Sequence, residues 1–247
     1  NHYDAVIDAQ GLLKSAFVAR LVKAPIYGMD KHSVRERIAS SFYRHKLSVP
    51  RDMHAVERTR QLFAAALNYK LAGTRGDYGV RAHLGGDTVK RSRGLLFFHG
   101  TARAEKLWPV EHWVELAGLA DAEDYPVWLP WGNELEQQRA LDVAQRSQTA
   151  KVLPMLDLLG LAGMLLEVEG AVAVDTGLGH LAAALDVPTV SLYGPTSTAL
   201  IGAYGRNQVH IESPLGLEDT DDPAAMMSAI TAPEVWQALK GVLPGHS

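Results

Sequence analysis

The chain contains no cysteine. Disulfides and thiolate metal sites are therefore excluded, which suits a reducing compartment. No apolar run approaches the roughly 20 residues needed to span a bilayer, and Asn1 opens no secretory signal. Several chemical motifs are also missing. There is no GxxxxGK[ST] phosphate loop and no HExxH metal helix. There is no Gly-x-Ser-x-Gly nucleophile elbow, and no acidic cluster of the kind that holds Mg²⁺. A phosphate ligand would have to be met by lysine and by helix N-termini instead.

What remains is an ordinary globular composition: 247 residues, 47 % hydrophobic and 21 % charged, enough for one large or two small domains. The net charge of −4 conceals an asymmetry, because residues 31–60 sum to +5 and all other residues to −9. A basic segment of this kind either meets an anionic partner or forms a solvated face.

The most informative stretch runs from Ala171 to Ser197. Ala171 to Val174 reads as a buried strand broken by Asp175-Thr176-Gly177. A helical pattern carrying His180, Leu181 and Leu185 follows, Pro188 ends it, and Val190 to Tyr193 reads as the next strand. This is a βαβ unit with a polar turn at the strand's carboxyl end, where ligands of open α/β sheets bind and where a helix N-terminus favours an anion.

The same alternation recurs upstream. Strands are expected at 95–98, 127–129 and 152–153, and helices at 109–119, 134–146 and 157–166, the last capped by Asp157. A closing helix is expected at 233–243, with a loop at 214–222. Nearer the start, Tyr3 to Ile7 reads as a strand, Leu12 to Leu21, Ser33 to Tyr43 and Ala55 to Leu67 as helices. Glycines punctuate residues 70–93, so domains are expected at 1–90 and 91–247. Strands alternating with helices predict parallel sheets covered on both faces. The first domain lacks the glycine-rich opening turn of a doubly wound unit, so its early βα units are expected to be absent from this sequence.

Strand carboxyl ends share one edge of a parallel sheet, so polar groups there converge on one crevice. Lys106 can neutralise a diphosphate as a point charge, or simply be solvated. Thr101 can bond the same phosphates or its own loop. Asp175 can bind sugar hydroxyls or cap the following helix, as can Thr176. Gly177 admits close backbone approach or serves turn geometry alone. His180 lies one helical turn inside, either facing the anion site or structural. Glu136 can accept hydrogen bonds from a ribose diol or be a surface carboxylate. Trp131 can wall an adenine pocket or belong to the core with Trp108 and Trp113.

These residues make the chain resemble the bacterial lipopolysaccharide heptosyltransferases. The resemblance rests on YDAVIDAQGLLKSA, YGMDKHSVRERIASSFY, HAVERTRQLFA, the HxTxRxxKxWPxEHW pattern of His99 to Trp113, LPWG at 129–132, VDTGLGHLAAALDVP and LYGPTSTALIGAYGRNQ. It implies a GT-B fold, with two Rossmann-like parallel-sheet domains facing a cleft and the N-terminal one incomplete here. It implies inverting, metal-independent transfer of heptose from ADP-heptose to the Kdo sugar of Kdo-lipid A in the inner core of Gram-negative bacteria. An already heptosylated acceptor, or a non-catalytic nucleotide-sugar-binding piece, are the alternatives.

By the resemblance, Thr101, Lys106, Thr176 and Gly177 would meet the diphosphate and Asp175 the heptose, with Lys106 and Asp175 as the catalytic pair and Lys106 stabilising the departing charge. Glu136 would hold the ribose, Trp131 and Leu156 would flank the adenine, and His180 would support the turn. Arg35 would meet the anionic acceptor. Ala102 stands where a second Thr is frequent, and Leu156 where a Met is usual, a volume-conserving exchange. The family's base, an aspartate in the first glycine-rich loop, is expected to precede Asn1. The resemblance further implies a monomer at the cytoplasmic face of the inner membrane, with peripheral membrane contact and no nucleic-acid partner.

Overall fold

The computed structural model describes residues 2–73, 75–216 and 218–245. Asn1 and Leu217, the latter within the expected 214–222 loop, lie outside them. The chain forms two compact units, Asn1–Gly76 with Ala199–Ile201, and Asp77–Thr198 with Gly202–Ser247. Residues 77–91 side with the second unit because their arginines anchor there. Arg81 donates to the Leu185 carbonyl at 3.2 Å and Arg91 to that of Asp186 at 2.7 Å.

In the first unit β1 (Val6–Asp8), β2 (Ile26–Met29) and β3 (His45–Leu47) form a parallel sheet in that order. Helix α1 (Leu13–Arg20) follows β1, and α2 (Ala55–Leu67) follows β3, ending at Asn68 in the left-handed region. Neither β2 nor β3 is evident in the sequence, since both are very short and β2 carries Gly28. That glycine is required by packing: a Cβ there would lie 2.4 Å from the Tyr43 ring. The Tyr43 hydroxyl donates to the buried Asp8 carboxylate at 2.8 Å. Burial, reinforced by this carboxylate, raises the Tyr43 pKa.

The helix expected over 33–43 is not α-helical. Only a 3-10 turn forms, at Arg37–Phe42. The Asp30 carboxylate captures the N–H groups of His32 and Ser33, and Glu36 is extended, its carboxylate taken by the Leu13 N–H at 2.6 Å. Side chains that bond the local backbone compete with helix in this way.

The second unit holds β4 (Ser92–Phe98), β5 (Val127–Leu129), β6 (Lys151–Val152), β7 (Val168–Val174), β8 (Thr189–Tyr193) and β9 (Gln208–Glu212). They form one all-parallel sheet in the order β6-β5-β4-β7-β8-β9. The helices are α3 (Val80–His83), α4 (Val110–Asp121), α5 (Glu134–Ala144), α6 (Leu158–Glu167), α7 (Gly177–Ala184), α8 (Thr198–Ile201), α9 (Pro223–Ser228) and α10 (Ala232–Lys240). Of these, α8 belongs chiefly to the first unit.

Strand β4 shows why the sheet sits at the centre. Leu95 and Phe97 join one core with Trp108, Trp113 and Trp236, whereas Leu96 and Phe98 join another with Leu165 and Leu185. Successive side chains face opposite ways, so a sheet buried on both faces needs an unbroken apolar strand. Strand β9 alternates polar and apolar residues at the sheet edge and escapes sequence reading for that reason.

Candidate functional site

The strand order changes direction between β4 and β7, and such a point opens a crevice at the strands' carboxyl ends. The loops leaving these two strands are bonded to each other there. The Thr101 hydroxyl, three residues after β4, donates to the Asp175 carbonyl at 3.2 Å. Lys106 Nζ donates to Asp175 Oδ2 at 2.5 Å. Their side chains are only 13 % and 12 % exposed, so the pair is shielded from water. Lys106 closes a 3-10 turn, Ala104–Lys106. The fully buried Trp108 pins the chain just beyond it, its indole N–H donating to the Ile230 carbonyl at 2.9 Å.

Asp175 is therefore not the cap of α7. Thr176 occupies that position, and its side chain makes no cap hydrogen bond. The first turn carries no acidic residue. Its Gly179 N–H bonds the Thr176 carbonyl at 3.1 Å, whereas the N–H groups of Gly177 and Leu178 precede any intrahelical acceptor, and a Cβ at Gly177 would meet nothing within 4 Å. A partial positive charge with room in front of it thus lies beside a lysine ammonium, a combination that suits a phosphate oxygen.

Glu136 sits in the first turn of α5. Its Oε2 accepts the Gly132 N–H at 2.8 Å, while Asn133 caps the helix by accepting the Glu136 N–H at 3.0 Å. The β4 loop presses against this carboxylate, since a Cβ at Gly100 would lie 2.5 Å from Glu136 Oε1. Thr101, Asn133, Glu136 and Arg139 line a cavity of about 490 Å³. Trp131 is half-buried and joins the β5 and β6 loops by donating to the Leu153 carbonyl at 2.7 Å. Leu156, like Leu153 and Trp128, is partly buried against the second core. His180 is exposed one turn along α7. Thr101, Lys106, Asp175, Thr176 and Gly177 thus meet at the switch point, with Glu136, Trp131 and Leu156 along the β5 and β6 ends.

Arg35 belongs to the first unit, on an exposed loop position. It lines a cavity with Arg51, Arg58, Gln10, Met29 and Met53. Arg51 donates to the Val34 carbonyl at 2.9 Å and Arg58 to that of Ser33 at 2.5 Å, bracing the loop that carries Arg35. Burial and the nearby Arg51 charge lower the Arg58 pKa.

His99 is a site residue that sequence reasoning places only at a strand end. It is fully buried behind Gly100, edge-on to Trp113. Neither ring nitrogen makes a well-formed hydrogen bond. Burial, with the neighbouring Arg139 charge, pushes its pKa down to about 4, and the Pro130 carbonyl pulls weakly the other way. A neutral imidazole thus backs the loop between Phe98 and Thr101. Among the described residues no group of three or more His, Asp or Glu is placed to hold a metal ion.

The family model "Glycosyltransferase family 9 (heptosyltransferase)" matches residues 1–226. Lipopolysaccharide heptosyltransferase 1 of Pseudomonas aeruginosa is 52 % identical over 212 residues, covering 85 % of this chain and 60 % of that protein. The Escherichia coli K12 protein of the same name is 46 % identical over 215 residues, covering 86 % of this chain and 67 % of the relative. The chain thus spans about three-fifths to two-thirds of these relatives' length. The structure of E. coli heptosyltransferase WaaC with ADP superposes with a TM-score of 0.87 at 42 % identity, covering 98 % of this chain and 73 % of that one. The chain belongs to glycosyltransferase family 9, the heptosyltransferases.

Proposed function

We propose that the protein carrying this chain is an inverting, metal-independent heptosyltransferase that moves L-glycero-D-manno-heptose from ADP-heptose to the Kdo sugar of Kdo-lipid A. The observation that carries this reading is the buried Lys106–Asp175 pair beside the uncapped start of α7, at the switch point of the parallel sheet. The relatives named above support the donor and the reaction class, and the WaaC structure holds ADP.

In this reading the second unit binds the donor. The diphosphate sits against Lys106, Thr101 and the first N–H groups of α7. Asp175 then shares its carboxylate with the heptose hydroxyls. Glu136 accepts from the ribose diol, Trp131 and Leu156 flank the adenine, and His180 supports the turn. The acceptor hydroxyl attacks the anomeric carbon from the face opposite the phosphate. The C–O bond to the diphosphate breaks, ADP leaves with the electron pair, and the acceptor proton passes to a base. No carboxylate of this chain is assigned that last role. Lys106 and α7 stabilise the charge that develops on the leaving oxygen, an electrostatic contribution preorganised before reaction. Arg35, with Arg51 and Arg58 around one cavity, matches the acceptor's carboxylate. No helix among the described residues is long and apolar enough to cross a membrane. We place the protein as a monomer on the cytoplasmic face of the inner membrane, where the lipid-borne acceptor would be met.

The test is a transfer assay on the full protein carrying this chain, with ADP-heptose and a Kdo-bearing acceptor. ADP release that requires the acceptor, with mass added to it, is the expected result. Donor consumption without acceptor, or transfer only to heptosylated core, contradicts the reading. A second expectation arises at Gly100. In Gly100→Ala the new methyl displaces the Glu136 carboxylate, which is the end of a flexible side chain, so the fold survives. ADP affinity should fall about tenfold, the worth of a lost charge-assisted hydrogen bond, with little change in thermal midpoint. Calorimetry and a melting curve check both, and unchanged affinity removes Glu136 from the ribose site.

A further inference from the structure

A second basic surface of the first unit has no part in the reaction proposed above. Lys31 and His32 follow β2, Arg37 opens the 3-10 turn, and Lys46 lies on β3. With Asp30 and Ile38 they line an open cavity of about 660 Å³. Among the described residues Lys31, Arg37 and Lys46 make no ion pair. Asp30 is turned toward its own loop, its Oδ1 accepting the N–H groups of His32 and Ser33 at 3.0 and 2.8 Å. Its single charge cannot compensate three cations. Ile38, which lines the same cavity as these cations, is 66 % exposed.

A lysine on an edge strand discourages strand pairing, which is reason enough for Lys46. It does not explain Lys31 and Arg37, which lie in the loop and turn between the strands, nor an exposed isoleucine among them. A soluble polyanion has no use for Ile38. An anionic bilayer has use for both features, with cations at the phosphates and an aliphatic side chain entering the interface. The charge balance orients the molecule the same way. Residues 31–60 sum to +5 and the rest to −9, so an anionic surface attracts this segment and repels the remainder.

We infer that Lys31, Arg37 and Lys46 with Ile38 form the face by which the protein docks on an anionic lipid bilayer. The inference rests on the proposed reading only in that a lipid-borne acceptor gives docking a purpose. Vesicles without any acceptor separate the two.

The experiment is flotation of the protein with phosphatidylcholine vesicles, with or without about 30 mol % phosphatidylglycerol, at low and at high salt. Wild type is expected to float with the anionic vesicles and to lose that binding at high salt. Each of Lys31→Gln, Arg37→Gln and Lys46→Gln should weaken partitioning about fivefold, the effect of one basic residue near such a surface. The triple variant should lose about a hundredfold, and Ile38→Ser should weaken the low-salt binding to anionic vesicles without changing its salt dependence. All four positions are exposed, and an unchanged circular-dichroism melting curve of each variant reports that the first unit remains folded. Equal binding by the triple variant, equal binding to neutral vesicles, or a preference for duplex DNA over anionic vesicles at equal salt overturns the inference.

Discussion

Lys106→Ala is expected to lower turnover by about a hundred- to a thousandfold, the loss seen when one preorganised charge-stabilising donor is removed. The same change should destabilise the second unit. Removing one partner of a buried ion pair strands the other, at a cost of about 3 to 5 kcal/mol. The pair retains 12–13 % exposure, which favours the lower figure. For a unit of this size that corresponds to a melting midpoint lower by roughly 6–12 °C. The two effects have different origins, and a second variant separates them. In Lys106→Ala with Asp175→Ala no charge is stranded, so most of the thermal loss should be recovered while turnover stays low. Scanning calorimetry and a steady-state assay on the full protein read both. Wild-type turnover in Lys106→Ala would remove the lysine from the mechanism, and a double variant as unstable as the single would remove the buried-charge account.

The second large effect is a loss of stability in mild acid. His99 titrates near 6.5 when exposed in the unfolded chain but near 4 when folded. Between these values the unfolded state binds the extra proton, so stability falls as pH drops through that window and is fully present above it. A shift of this size corresponds to about 3 kcal/mol at the bottom of the window. Urea unfolding at pH 7 and at pH 4.5 should therefore show a marked loss for wild type. His99→Leu keeps the site apolar and removes the titration, so its loss over the same interval should be smaller by about 2 to 3 kcal/mol. Parallel pH dependence in the two proteins would mean that the imidazole finds a partner or water when charged. Because the folded imidazole stays neutral until about pH 4, His99 should leave the donor affinity of the folded protein unchanged over that window.

Much of this molecule is legible in its sequence, and the parts that are not share a cause. The β7–α7–β8 unit reads directly because a continuous small apolar run, a polar break and a helical repeat each have one interpretation. Helix α2 reads directly as well, its apolar positions lying on one face. The 33–43 segment misleads because its apolar spacing suits a helix while Asp30 and Glu36 draw the backbone into turns. Strands β2 and β3 are too short for periodicity to register.

At the site, the grouping of Thr101, Lys106 and Asp175 follows from strand ends sharing a sheet edge. The ion pair itself does not, because Lys106 and Asp175 are 69 residues apart in the chain. Only the β4–β7 pairing brings them together, and it gives Asp175 a partner other than the helix it precedes. His99 escapes notice for the opposite reason. Nothing local distinguishes a histidine buried by Trp113 from one facing solvent.

The most direct test of the donor site is calorimetric titration of ADP into the protein, repeated with Lys106→Ala. One saturable site with a dissociation constant between about 1 μM and 1 mM, weakened at least tenfold by the variant, is the outcome that the Lys106–Asp175–α7 arrangement requires. Absence of ADP binding to the folded protein, or equal affinity in the variant, would place the nucleotide elsewhere and remove the basis for the proposed transfer.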